Sequence, residues 1–223
     1  MFDEAFPNEL KEDLQVVLAV LPKSFNSNSL SFCSQEMVIY LLHGCLIRFP
    51  YRIYFDEIPQ STIDRLSFRQ KEILYCIYSR SYDGYIREKY LKKLFNYPLQ
   101  EWMFPFVVKL SDEYVYEIIV VIYNLLKVRN NVDLKEFCLE NKLVIHKSYL
   151  KMVAYWNEFY RNKEACFRHY VGRKLYRECF GYCRRFEWGV ENGKKEILEL
   201  IKSRNIWYEI TEHQAVFNMD DLR

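Results

Sequence analysis

Between Leu66 and Leu126 apolar positions recur at helical spacing in two consecutive blocks, each broken by a short polar turn. In the first block Phe68, Ile73, Leu74, Cys76, Ile77 and Tyr78 lead into Ser81-Tyr82-Asp83-Gly84, and Tyr85, Ile86, Tyr90, Leu91, Leu94 and Phe95 follow. The second block has the same layout: Trp102, Phe104, Phe106, Val107, Val108 and Leu110 come before Ser111-Asp112-Glu113, and Tyr114, Val115, Ile118, Ile119, Ile122 and Leu125 come after it. This pattern predicts two successive helical hairpins, each with an apolar flank that needs a neighbour to cover it.

The flanking pattern extends the helical reading in both directions. From Asp3 to Leu21 an acidic head (Asp3, Glu4, Glu9, Glu12, Asp13) precedes Leu10, Leu14, Val17, Leu18 and Leu21 at helical spacing, and Pro22 stops the run. Residues 23–31, with Asn26-Ser27-Asn28-Ser29, read as a connector. Ser34 followed by Met37, Val38, Tyr40, Leu41, Leu42, Cys45, Leu46 and Phe49 predicts a capped, mostly buried helix ending at Pro50, with His43 as a hydrogen-bonded core histidine. Residues 50–60 form a second connector. Tyr51, Ile53 and Phe55 alternate there with Arg52, Tyr54 and Asp56, but a lone strand would leave its backbone groups unpaired, so an extended linker is expected. Ser61 or Ser67 caps the next helix, and Asn96-Tyr97-Pro98 ends the first hairpin.

After Leu126 a polar connector leads to Asp133, the expected N-cap of a helix over Leu134 to Asn141, and a long amphipathic helix runs from His146 to Tyr160. Arg161-Asn162-Lys163-Glu164 breaks it. A basic, aromatic segment from Phe167 to Trp188 comes next, then a short helix at Glu196 to Ile201, an extended piece at Ile206 to Ile210, and a frayed tail over 212–223. The predicted class is all-α: a single helical domain over 1–223, built of stacked antiparallel helical hairpins as in a solenoid or an irregular bundle, with at most one short extended segment.

Composition agrees with this class. Six glycines and six prolines are few for a sheet with many tight turns, and half of the residues are apolar, which excludes a disordered chain. Aromatics reach 17 %, with 19 Tyr and 16 Phe, enough to fill the spaces between helices or to rim a binding face. Seven cysteines, an odd number spread through apolar runs, read as small core hydrophobes in a reducing compartment, hence a cytoplasmic location. No apolar stretch is long enough to span a bilayer, and the start, Met1-Phe2-Asp3-Glu4, lacks the basic head of a signal peptide. A soluble protein without membrane partners is expected.

The formal charge of +2 conceals a gradient. Residues 1–60 carry 4 basic against 8 acidic side chains, whereas residues 161–205 carry 12 against 6, so the later part offers a surface for an acidic partner. The basic segment interleaves Arg168, Arg173, Lys174, Arg177, Arg184 and Arg185 with Tyr176 and Tyr182, a composition that suits arginines on phosphates and rings on bases, and equally a core stripe beneath a cationic face. Cys179 and Cys183 stand one helical turn apart, not at zinc-knuckle spacing, and no metal or cofactor site is predicted. The four histidines are dispersed, no nucleophile turn or phosphate-cradling loop occurs, and no catalytic residue is assigned.

Asp83-Gly84-Tyr85-Ile86-Arg87, followed by Tyr90, Leu91 and Leu94, resembles the helix-turn-helix grammar of HEAT repeats, in which an acidic turn precedes an aliphatic residue, an arginine and an apolar stripe. Asp112, Tyr114 and Val115 repeat the outline 29 residues later, with Tyr116 where Arg87 stands in the first unit. The resemblance covers these two units, and it implies an α-helical stack without designating any functional residue. Residues 66–95 also resemble the helix-turn-helix of DNA-binding regulators, with Tyr85 to Phe95 and its Arg87, Lys89, Lys92 and Lys93 as recognition helix. The function expected is that of a non-enzymatic macromolecule-binding protein whose partner is another protein, of adaptor or immunity/inhibitor type. The alternative is nucleic-acid binding through 168–185 or through the helix-turn-helix at 66–95.

Overall fold

The computed structural model describes residues 2–22, 31–183 and Phe186. The predicted pieces at Glu196–Ile201, Ile206–Ile210 and 212–223, and most of the 23–31 connector, lie outside the described residues. What is described is mostly helical, and no helix among these residues is long and apolar enough to cross a membrane. The chain divides into two compact units, Met1–Leu110 and Ser111–Arg223.

In the first unit a 3-10 turn, Asn8–Leu10, runs into α1 (Lys11–Val20), which buries Leu14 and Val17. The stretch that follows corrects the sequence reading. Residues 34–49 do not form a helix. They make an antiparallel hairpin of β1 (Met37–Leu42) and β2 (Cys45–Pro50), with Met37 opposite Pro50 and Leu42 opposite Cys45, so the chain holds more than one short extended segment. His43 and Gly44 close the hairpin with φ of 51° and 72°, two left-handed residues in succession, whose twist matches that of the flanking strands. Histidine tolerates this region better than most side chains, and glycine enters it without a Cβ penalty. His43 is therefore not a core residue: its side chain is 74 % exposed and its Nε2 meets the carboxylate of Glu101. Ser34, expected as a helix cap, accepts from the Arg52 amide at 2.9 Å and donates to the Glu36 carbonyl at 3.0 Å.

The hairpin buries alternate residues, Val38, Tyr40 and Leu42 from β1 and Ile47 and Phe49 from β2. Phe49 stacks on Phe106 with centroids 4.3 Å apart, and Phe106 stacks on Phe6 at 5.1 Å. The connector at 51–58, read from the sequence as an extended linker for want of a pairing strand, has backbone partners on both sides. Ile53 donates to the Arg80 carbonyl and accepts from the Tyr82 amide, while Ser34 donates to Arg52 and Tyr54 to Phe32, all between 2.8 and 2.9 Å. Tyr78 fastens the same connector, accepting from the Ile58 amide at 2.8 Å and donating to the Asp56 carbonyl at 3.1 Å.

Three helices complete the centre of this unit: α2 (Gln60–Asp64), α3 (Phe68–Tyr78) and α4 (Gly84–Leu94). Ser67, not Ser61, caps α3 in a reciprocal box with Gln70, and Gln70 reaches across to Asp13 of α1 at 2.9 Å. Six consecutive residues of α3, Ile73 to Tyr78, are buried, which only a helix packed on several sides permits. Asp83 caps α4, and the buried Arg87 donates to the carbonyls of Ser81 and Tyr82 at 2.8 and 2.9 Å, fixing the turn between α3 and α4. A 3-10 turn, Glu101–Met103, and α5 (Phe104–Lys109) end the unit. The two helices of the second predicted hairpin therefore fall on opposite sides of the boundary after Leu110.

The second unit holds α6 (Tyr116–Leu126), α7 (Val132–Glu140), α8 (Lys142–Tyr155) and α9 (Val171–Lys174). Asn131, not Asp133, occupies the N-cap of α7, and Asp133 lies in its first turn. A π-helical turn, Trp156–Tyr160, extends α8, and another, Leu175–Cys179, extends α9. At Gly172 a Cβ would come within 2.6 Å of Tyr170 Cε1 and 3.0 Å of the Met152 side chain, so only glycine lets α9 approach α8 this closely.

Candidate functional site

The basic, aromatic segment separates by chemistry. Tyr176 and Tyr182, predicted to contact a partner, are buried, and so are Tyr170 and Phe180 around them. Ser111 donates to the Tyr176 hydroxyl at 2.9 Å, the Tyr182 hydroxyl lies 2.7 Å from His146 Nδ1, and Tyr182 stacks on Tyr149 at 4.0 Å. These rings serve as interior packing and are not available to a base. The cations take the opposite face. Arg168, in a 3-10 turn at Phe167–His169, and Arg177 are exposed, while Arg173 and Lys174 are half-buried. None of the four forms an ion pair with an acidic side chain among the described residues. Arg173 lies 5.9 Å over the Phe167 ring. Arg184 and Arg185 lie outside the described residues.

The proposed recognition helix α4 is differently arranged. Arg87 is buried in the turn, Lys89 pairs with Glu57 at 2.6 Å, Lys92 pairs with Glu88, and Lys93 reaches Gln60 at 3.3 Å. Its cations are thus engaged within the unit. Tyr85, at 85 % exposure, is the large side chain it presents to solvent.

A surface that spacing did not reveal lies beside α8. Tyr114 and Phe159 are 56 % and 54 % exposed, yet both touch Tyr155, at 6.2 and 6.1 Å between centroids, and each other at 6.4 Å. Three rings from two segments form one ridge. Its base is pinned: the Tyr160 hydroxyl donates to the Tyr114 carbonyl, and the Trp156 indole donates to the Glu164 carbonyl at 2.9 Å. Beneath it Tyr116 donates to Glu164 at 2.9 Å, and burial with this carboxylate pushes the Tyr116 phenol up to about 12. Further along α6, the bond to Glu178 drives Tyr123 up to about 12 as well. The π-helical turn at Trp156–Tyr160 widens the helical period and carries Phe159 out of the core stripe. No regular spacing in the sequence marks such a turn.

In the first unit a cleft of about 330 Å³ opens between the Asn8–Leu10 turn, α3 and the Glu101–Met103 turn. Its walls include Leu10 and Trp102, with Glu9, Arg69, Glu72 and Gln100 around them. Glu72 is half-buried; burial raises its carboxyl above the ordinary range, and nearby Arg69 draws it partly back. Among the described residues no group of three or more His, Cys, Asp or Glu side chains is placed to hold a metal ion. Cys76, Cys138 and Cys179 are buried, and burial pushes the Cys179 thiol up to about 11, which keeps it an inert core group at neutral pH. Compared with protein-family models, with curated proteins and with solved structures, the chain matches none.

Proposed function

We propose that this chain is a non-enzymatic protein-binding module, of adaptor or immunity/inhibitor type, and that it grips its partner through the ridge of Tyr114, Tyr155 and Phe159. The observation that carries this reading is three contacting aromatic rings of which two remain more than half exposed. Large apolar rings left in water are costly to the free protein, and a partner that covers them gains their burial. Tyrosine and phenylalanine have few side-chain torsions to freeze, and here the backbone beneath them is already fastened by Tyr160 and Trp156, so little ordering cost remains on association. On α8, Leu150 and Ala154 continue an outward-facing stripe at i, i+4 spacing.

The proposal also takes the helical pairs as a HEAT-like stack that leaves an outer face for the partner. This part starts from the α3–α4 hairpin, where Asp83 caps the second helix and Arg87 ties down the turn, while α5 and α6, the second predicted pair, fall on either side of the boundary after Leu110. The test begins with affinity capture from the source cells and continues with the purified partner. Tyr114→Ala with Phe159→Ala should weaken that partner at least about thirtyfold, the loss expected of a central aromatic anchor. Arg168→Glu with Arg177→Glu should leave it unchanged. A partner held equally well by the ridge variant refutes the proposal.

A second reading, nucleic-acid binding, rests on Arg168, Arg173, Lys174 and Arg177, which have no acidic partners among the described residues. Retardation of RNA or DNA at low ionic strength, lost in Arg168→Glu/Arg173→Glu/Arg177→Glu, would favour it. No retardation at low salt removes it, because phosphate contacts are strongest there.

A further inference from the structure

We propose that the cleft between the Asn8–Leu10 turn, α3 and Trp102 is a binding site for a small zwitterion of the α-amino acid class with an apolar side chain. The site is independent of the aromatic ridge and lies wholly within the first unit.

The cleft combines three chemistries that rarely share one wall. Arg69 offers a guanidinium for a carboxylate, Glu72 and Glu9 offer carboxylates for an ammonium, and Trp102 with Leu10 offers an apolar surface. Neither Arg69 nor Glu72 makes a hydrogen bond or close ion pair with another described residue, although they stand one turn apart on α3. Several other charged groups of this unit do have partners: Lys89 has Glu57, Lys92 has Glu88, and Arg87 has two carbonyls. A half-buried carboxylate without a hydrogen bond gives up part of its hydration for nothing, and a bound ammonium returns it. The guanidinium fork suits a carboxylate in the same way.

Size and rigidity fit this ligand class. A volume of about 330 Å³ is at the small end of ligand clefts, suited to a single amino acid and too small for a dinucleotide or an extended peptide. The wall is also fixed in place. Phe6 packs edge-on against Trp102 at 5.7 Å, and Phe6 stacks in turn on Phe106. Leu10 is buried, and Gln70, between Arg69 and Lys71 on α3, is bonded to Asp13 of α1. Three segments distant in sequence therefore present their groups to one cleft without having to rearrange.

The experiment uses the full chain labelled with nitrogen-15, with the Trp102 indole resonance identified from Trp102→Phe. L-leucine and L-phenylalanine are titrated singly, and leucinamide and 4-methylpentanoate serve as ligands lacking one charge each. Saturable movement of the Trp102 indole signal by at least one amino acid is expected. The leucine analogues, or the amide and deaminated analogues of phenylalanine if only that amino acid binds, should be at least about tenfold weaker, the worth of one charge-assisted contact. Glu72→Gln and Arg69→Gln should each cost a similar factor while leaving the rest of the spectrum in place; both positions lie on the cleft surface and hold no other described residue. No saturation by either amino acid at about 10 mM, far above the affinity that two charged contacts imply, overturns the proposal. Equal binding of an analogue that lacks one charge, or unchanged binding in both variants, overturns it too.

Discussion

Replacing Tyr78 with phenylalanine removes one hydroxyl and leaves the ring where it is. That ring stacks on Tyr90 at 4.6 Å and meets Phe55 edge-on at 6.0 Å, contacts that phenylalanine keeps. The loss is therefore confined to the two bonds of the hydroxyl, from the Ile58 amide at 2.8 Å and to the Asp56 carbonyl at 3.1 Å. Ile58 is buried, so its amide does not regain a partner from water without the connector shifting. A buried donor left without a partner costs about 1–3 kcal/mol, and a typical net bond contributes about 1 kcal/mol. Together they give a destabilisation of about 2–4 kcal/mol, which in urea lowers the unfolding midpoint by roughly 1 M or more at unchanged m. Amide exchange supplies the local readout: Ile58 and its neighbours along the connector should lose protection first, by about thirtyfold or more for a loss of 2 kcal/mol. A midpoint within experimental error of the parent, together with unchanged Ile58 protection, would show that Tyr78 does not hold the connector.

Gly44→Ala places a Cβ at φ 72° in open space, so it isolates backbone strain and should destabilise the first unit by about 1–2 kcal/mol in urea unfolding. Gly172→Ala gains about 1 kcal/mol of helix propensity but drives a Cβ to 2.6 Å from the Tyr170 ring, and overpacking of about 1–3 kcal/mol should prevail in the second unit. A rise in its melting temperature would refute that ordering. Tyr116, Tyr123 and Tyr75 are all raised from about 10 to about 12, so the protonated phenol is the form the folded state favours. Their contribution is complete below pH 10 and is lost as pH rises through about 12, and Tyr116→Phe should flatten that alkaline loss in spectrophotometric and unfolding titrations. Glu72 is raised for the same reason of burial, so its charged form is the one folding disfavours. Glu72→Gln should thus leave the first unit at least as stable as the parent at pH 7 in urea unfolding, even as it weakens the cleft.

Local patterning made most of the helices legible. Ser67 before Gln70 and Asp83 before Tyr85 act within four residues of themselves, and the capped helices α3 and α4 occur where that spacing placed them. Amphipathic spacing did the same for α1, α6 and α8, because each buries an apolar stripe. The hairpin at 37–50 escaped the same reading. Its run Met-Val-Ile-Tyr-Leu-Leu is apolar at odd and even positions alike, so it fits a buried helix and a strand equally well, and the decision rested on two left-handed residues at His43-Gly44 and on the surface that Phe49 of the second strand found in Phe106. Nothing near residue 110 in composition marks the division into two units. It follows from which long-range partners each segment has, as does the pairing of 51–54 with 32–34 and 80–82. The candidate sites show the same split most plainly. The basic segment was visible as a string of arginines and tyrosines, but whether a ring faces a partner or the core is settled by what lies 4 to 6 Å away, and Tyr149, Ser111 and His146 enclose Tyr176 and Tyr182. Tyr114 and Phe159 stand 45 positions apart and become neighbours only through the π-helical turn and the fold of the second unit, and Glu9, Glu72 and Trp102 share a cleft for a reason of the same kind. Short-range chemistry is written along the chain; adjacency between distant segments exists only once burial has brought them together.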